Sequence, residues 1–199
     1  VAGRFDAARA AFDDARAFGE RMGEVDRVRM WRDQVWSLEL LRGDVDKALA
    51  TARSASPEDP FTRVLEALTA AQGATRGGDV DDALRRSGDV DDQLRRLPRR
   101  FHSVRIVFDA QVAAATADPA RCASARAALA PLADSWAVYS GGGIVWGPMA
   151  LWLALVDAAE GRWDDAVRGY ESAAGSADRL GARPWSVLAR AHLAAALRG

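Results

Sequence analysis

Apolar residues recur along this chain at i, i+3, i+4 and i+7, the spacing that gathers them on one face of an α-helix. Phe5, Ala8, Phe12 and Ala15 make one such stripe, and Val28, Trp31, Val35, Leu38 and Leu41 make the next. Val64, Leu65, Leu68 and Ala71 follow, then Val104, Val107, Phe108 and Val112. Leu151, Leu155 and Ala158 lead to Trp163, Ala166, Val167 and Tyr170, and Val187, Leu188, Ala191 and Leu197 close the set. No stretch alternates with period two for long enough to predict a strand. Between the stripes lie helix stops and starts. Gly43-Asp44 and Gly78-Asp79 put glycine where a helix ends and aspartate where the next begins. Ser56-Pro57 through Pro60, Asp118-Pro119 and Gly181 to Pro184 serve the same purpose, because proline suits a first helical turn. The pattern predicts an all-α chain of about ten helices, each of roughly 12 to 18 residues.

The helices pair through an internal signature. Gly161, Trp163, Ala166, Tyr170 and Ala173 follow the spacing Gly-x-aromatic-x2-Ala-x3-aromatic-x2-Ala, and Gly3, Phe5, Ala8, Phe12 and Ala15 reproduce it. Gly43, Val45, Ala48, Ala52 and Ala55 keep the spacing with smaller groups, and Gly78, Val80 and Ala83 keep its first half. Glycine ends one helix tightly, a large residue caps the hairpin, and alanine lets the two helices approach. Ala70-Ala71 and Leu153-Ala154 supply small residues on the opposing helices.

This spacing resembles the tetratricopeptide repeat along essentially the whole chain, with the match closest at its two ends. The resemblance implies one domain, 1–199, built as an α-α superhelix of about five hairpins. Trp36 stands where a small residue belongs, so that hairpin is expected to open or shift. The distances between signature glycines exceed or only approach the usual period of about 34 residues. Such longer helices resemble the arrays of MalT- and LuxR-like transcriptional regulators of actinobacteria, above all at Gly143 to Pro148 and Leu180 to Trp185. In those regulators the array sits beside a nucleotide-binding switch domain and a helix-turn-helix. Neither is present in these residues, so ATP and DNA binding are not carried over. Gly3 and Gly199 fall inside incomplete repeat units, which leads us to expect a piece of a larger protein whose apolar repeat ends meet other domains or copies.

Composition narrows the chemistry. Hydrophobic residues make up 49% and charged residues 28%, with a net charge of −1, so no basic field draws in nucleic acid or an anionic membrane. Lys47 is the only lysine and asparagine is absent, usage that fits a GC-rich genome. Cys122 is the single cysteine, which excludes an internal disulfide and any multi-cysteine metal site. Val1 to Asp14 carries charges where a signal peptide needs an apolar run. Ser135 to Val156 is uncharged, but Ser140-Gly141-Gly142-Gly143 and Gly147-Pro148 interrupt it. Met149 to Val156 is too short to cross a bilayer and reads as a buried helix of a cytoplasmic protein.

No catalytic constellation emerges. His102 and His192 have no flanking motif, and Cys122 in an alanine-rich helix reads as a buried thiol. Gly141-Gly142-Gly143 lacks phosphate-loop spacing and reads as a flexible loop, or as a lid if mobile. Asp79-Val80-Asp81-Asp82 and Asp89-Val90-Asp91-Asp92 lack the order of a calcium loop and read as helix caps. Gly88 is expected to break or kink that segment, leaving open one bent helix or two. Arg95, Arg96, Arg99, Arg100 and Arg105 read as a solvated face paired with the aspartates. Of the seven tryptophans, Trp163 is expected in the core, Trp31 and Trp36 face different ways, and Trp146 and Trp152 straddle a helix start.

No cofactor, metal or enzymatic reaction is expected. The resemblance implies a non-catalytic module that binds a peptide, protein or small effector on its concave face. Asp33, Ser37, Gln72, Arg105, Asp109 and Trp146 are the groove candidates. The alternative is a scaffold for self-association or domain assembly.

Overall fold

The computed structural model describes residues 2–54, 59–96, 101–139 and 143–198. Ten helices form among the described residues: α1 (Phe5–Arg21), α2 (Val25–Arg42), α3 (Val45–Arg53), α4 (Pro60–Ala74), α5 (Val80–Arg96), α6 (His102–Thr116), α7 (Pro119–Leu129), α8 (Met149–Ala159), α9 (Trp163–Arg179) and α10 (Arg183–Ala196). The class is all-α, with one small exception described below. The punctuation works as its chemistry dictates. Gly43 closes α2 at φ +86°, and the Asp44 carboxylate then accepts the backbone N–H of Lys47 to open α3. Asp59 and Asp118 cap α4 and α7 in the same way, each directly before a proline. At the Gly-Gly pair, Gly77 takes the left-handed conformation at φ +90°. Ser56, Pro57, Ala55, Arg99, Arg100, Gly141, Gly142 and Gly199 lie outside the described residues.

The even-numbered helices α4, α6, α8 and α10 pack successively on one another, and each of α3, α5, α7 and α9 packs against the two even helices that flank it. α1 packs on α2. This layering explains why α6 and α8 are apolar nearly all round, with Val104, Ile106, Val107, Phe108 and Ala110 all buried on α6. The signature alanines Ala48, Ala52, Ala166 and Ala173 are fully buried, and Tyr170 sits among them. Gly169 shows how close the helices come, since a Cβ there would lie 2.8 Å from the Cβ of Ala154.

Four expectations need correction. Two strands do form: β1 (Trp136–Tyr139) and β2 (Ile144–Pro148) pair antiparallel, with Val138 opposite Val145 and Trp136 opposite Pro148. Two steps on β1 face three on β2, so β2 bulges at Trp146-Gly147, where Gly147 adopts φ +84°. Second, α5 runs unbroken through Gly88 as one helix, because nothing crowds that position and the Val90 and Leu94 face stays buried. Third, Trp163 is 44% exposed, at the first turn of α9. Fourth, Trp36 does not pry its hairpin open. It turns to α4 instead, where its indole N–H donates to Thr69 Oγ1 at 2.8 Å.

The β-hairpin lies across the even-numbered helices. The Ser103 hydroxyl of α6 donates to the Val138 carbonyl at 2.8 Å, and the Trp136 indole donates to Ser176 of α9 at 3.0 Å. Trp146 and Tyr139 are buried, and the Trp146 ring meets Trp36 edge to face at 5.4 Å. Gly3 also rests against Pro184, since a Cβ there would lie 3.6 Å from the proline ring. The residues just before α1 therefore touch the start of α10. No helix among the described residues is long and apolar enough to cross a membrane.

Two stability predictions follow from this packing. A Cβ at Gly147 would lie 2.6 Å from the Trp185 ring at a backbone conformation unfavourable to alanine. Gly147→Ala should therefore cost about 3 kcal/mol in urea denaturation, and a loss within experimental error would refute the close approach. Gln111 is fully buried, and neither amide atom has a hydrogen-bond partner among the described residues. Gln111→Met should raise stability by about 1 kcal/mol, because it removes two unpaired polar atoms at similar volume; destabilisation in the same assay would mean the amide has a partner.

Candidate functional site

Three of the six groove candidates converge from three separate elements. Ser37 on α2, Gln72 on α4 and Trp146 on β2 line one crevice of about 20 Å³, together with Trp36, Leu40 and Trp185. Each arrives for a local reason. Ser37 follows Trp36 on the side of α2 that faces the hairpin, and its hydroxyl donates back to the Gln34 carbonyl at 2.8 Å. Gln72 lies on the buried side of α4, one position beyond Ala71. Trp146 and Trp152 lie on either side of the start of α8 at Met149, as the sequence suggested. It reaches the crevice from the bulged strand.

The crevice wall is a row of indoles. Trp36 meets Trp146 edge to face, the Trp152 indole donates to the Trp146 carbonyl at 2.9 Å, and Trp152 meets Trp185 edge to face at 6.3 Å. Trp36 donates to Thr69, whose hydroxyl donates onward to the Leu65 carbonyl at 2.6 Å. Trp185 is different. It is 4% exposed, yet its indole N–H has no partner among the described residues.

One turn beyond Gln72, Arg76 reaches the Leu40 carbonyl at 3.5 Å, near the end of α2. Desolvation holds its guanidinium below the ordinary arginine value, with no carboxylate contributing. Across from it on α10, His192 stacks on Tyr170 with ring centroids 5.5 Å apart. Burial pushes the His192 imidazole below its usual value, and the charge of Arg76 adds to the effect. Trp185, which lines the crevice, and Arg76, which lies outside its lining beside Leu40, are residues that periodicity could not find. Trp185 follows a Pro-marked helix start that looks purely structural, and Arg76 lies just past the end of a predicted stripe.

The other three candidates lie elsewhere. Asp33 is buried under the opposite end of the hairpin, where Arg32 donates to its Oδ1 at 2.8 and 3.0 Å and to Asp59 at 2.6 Å. Burial pushes the Asp33 carboxyl above its ordinary value, with Arg32 pulling the other way. Tyr139 and Phe101 close over this cluster at 5.2 Å from each other. Asp33 thus lies outside the crevice and shares the Arg32 guanidinium with Asp59. Arg105 and Asp109 pair with each other at 3.5 Å along α6. Asp109 faces a separate depression of about 200 Å³ between α6 and α7, beside Arg121 and Ser124.

The remaining motifs settle into structure. Cys122 is buried with Sγ 3.4 Å from the Ala113 carbonyl, and burial pushes its thiol up. Arg95 pairs with Asp91 at 2.5 Å and Asp92 at 2.9 Å. Trp31 sits at the surface, with Arg16 over its ring at 4.3 Å and its indole N–H on Asp13 at 2.7 Å. No group of three metal-ligating side chains is close enough to hold an ion among the described residues. No protein-family model, curated protein or solved structure matches this chain.

The depressed His192 value gives a signed pH prediction. A histidine kept neutral by folding contributes fully above the 6.5 of a free imidazole and loses that contribution as pH falls through the lower folded value. The melting temperature should therefore drop between about pH 8 and pH 5, and His192→Gln should flatten that slope. Equal slopes for the two proteins would show that His192 is not the group responsible.

Proposed function

We propose that this chain is a non-catalytic sensor and interaction module that binds an effector or partner on the face of its even-numbered helices. The observation that carries the reading is the meeting of Ser37, Gln72 and Trp146, from three distant parts of the sequence, in one aromatic-walled crevice. Aromatic anchors beside neutral polar groups are the usual make-up of a binding site. The repeated Gly-x-aromatic-x2-Ala spacing and the alternating helix layers support a tetratricopeptide-like array. On that likeness, the module belongs in a cytoplasmic MalT- or LuxR-like transcriptional regulator and passes occupancy to neighbouring domains by population shift. A population shift requires the ligand to prefer one arrangement of the helices over another.

A second reading is favoured by apolar side chains left at the surface of the first and last helices. Phe18 and Met22 near the end of α1, and Val187 and Leu197 on and just beyond α10, are each more than half exposed. These faces suit a scaffold that assembles with copies of itself or with other domains.

Native mass spectrometry after incubation with lysate of the producing cells separates the two. A discrete adduct on the wild type that is lost in Ser37→Arg and kept in Arg121→Glu, on the α6–α7 depression, supports the sensor reading. Multiples of the protomer mass that vanish with Val187→Asp and Leu197→Asp support the scaffold instead.

A further inference from the structure

We propose that copies of this chain assemble head to tail, the exposed face of α10 on one copy seating against the exposed face of α1 on the next. The assignment rests on the scaffold reading above and names the two surfaces that meet.

The layering of the helices shows what α1 lacks. Each of α3, α5, α7 and α9 is held between two even-numbered helices, whereas α1 packs on α2 alone among the described residues. Yet α1 carries the face that α9 uses. Ala8, Ala11 and Ala15 stand at the same distances from Gly3 as Ala166, Gly169 and Ala173 do from Gly161. On α9 that face admits α8 so closely that a Cβ at Gly169 would lie 2.8 Å from the Cβ of Ala154. On α1, Ala11 and Ala15 are exposed and Ala8 is half-buried. An even-numbered helix is missing from this side of α1.

α10 is an even-numbered helix with a free side, its one odd-numbered neighbour among the described residues being α9. Val187, Ala191, Ala194 and Leu197 recur on one face, and Val187 and Leu197 are each 68% exposed. That stripe is about 15 Å long, and so is the stripe from Ala8 to Phe18 on α1. Laid antiparallel, as α9 lies on α8, the two faces bring Phe18 toward Val187 and Phe5 toward Leu197. The chain's own α1 does not fill the place. Its Gly3 rests on Arg183 and Pro184 at the start of α10 and leaves Val187 and Leu197 bare.

Charge decides against the pairing of like faces. Arg183, Arg190 and Arg198 border the α10 stripe and the helix carries no carboxylate, so two α10 faces repel. On α1, Asp14 is exposed on the open face, while Arg9 and Arg16 are turned away over the Trp31 ring of α2. Unlike faces at the two ends make a contact that repeats along an open chain instead of closing on itself.

The test is sedimentation of the wild type, Ala11→Arg, Ala191→Arg and their equimolar mixture over a concentration series. The wild type should gain mass steadily with concentration, and each variant should associate at least about tenfold more weakly. The mixture should regain association but stop at the dimer, because Ala11→Arg keeps a working α10 and Ala191→Arg a working α1. Melting curves check folding, and Phe18→Arg or Leu197→Arg replaces a variant that melts early. Undiminished association of either variant alone, or a mixture that stays monomeric, overturns the mating of α1 with α10 and leaves the scaffold reading to other surfaces. A wild type that keeps the protomer mass throughout overturns both this proposal and self-assembly as a scaffold.

Discussion

The approach of the Trp185 ring to the backbone of Gly147 is the contact on which the rest of the arrangement depends. Only a residue without a side chain tolerates both the left-handed φ and an indole 2.6 Å from where a Cβ would be. That tolerance lets β2 bulge between Trp146 and Pro148, which turns the Trp146 ring across to Trp36 on α2. Residues more than a hundred positions apart meet through a single permissive glycine. The same turn presents the Trp146 carbonyl to Trp152, so α8 is tied to the strand that precedes it. Gly3 against Pro184 adds a contact between the residues just before α1 and the start of α10.

This closure constrains what the face of the even helices can hold. A repeat array of the expected kind would offer an open groove to a partner, but here the chain lays its own hairpin there. Tyr139, Ile144 and Trp146 are buried against the helices and occupy the space an extended peptide would need. What remains is a crevice of about 20 Å³.

Local chemistry was legible in the sequence and long-range choices were not. Gly43-Asp44 and Asp118-Pro119 located helix ends because a left-handed cap and a side-chain cap involve only neighbours in sequence. The strands escaped notice because Trp136–Tyr139 and Ile144–Pro148 are four and five residues long and apolar at nearly every position, so neither shows polar alternation. Gly88 shows the opposite error: glycine weakens a helix, but burial of Val90 and Leu94 outweighs that loss. Asp33 looked like a groove residue from its spacing alone. Its partner is the adjacent Arg32, which also holds Asp59 at the cap of α4, and no periodicity reveals that. Arg105 and Asp109 pair along α6, and Asp109 borders the separate depression toward α7.

The hairpin is held by different physics at its two ends. At the Tyr139 end, Arg32 is shared between Asp33 and Asp59 beneath the rings of Phe101 and Tyr139. Such a network tolerates one geometry, because a shift that breaks either pair strands a buried charge. At the Trp146 end the contacts are edge-to-face indoles, which keep most of their attraction when rings slide. A displacement of the hairpin at the Tyr139 end would strand a buried charge, and at the Trp146 end it would have to carry the strand past the Trp185 ring at Gly147.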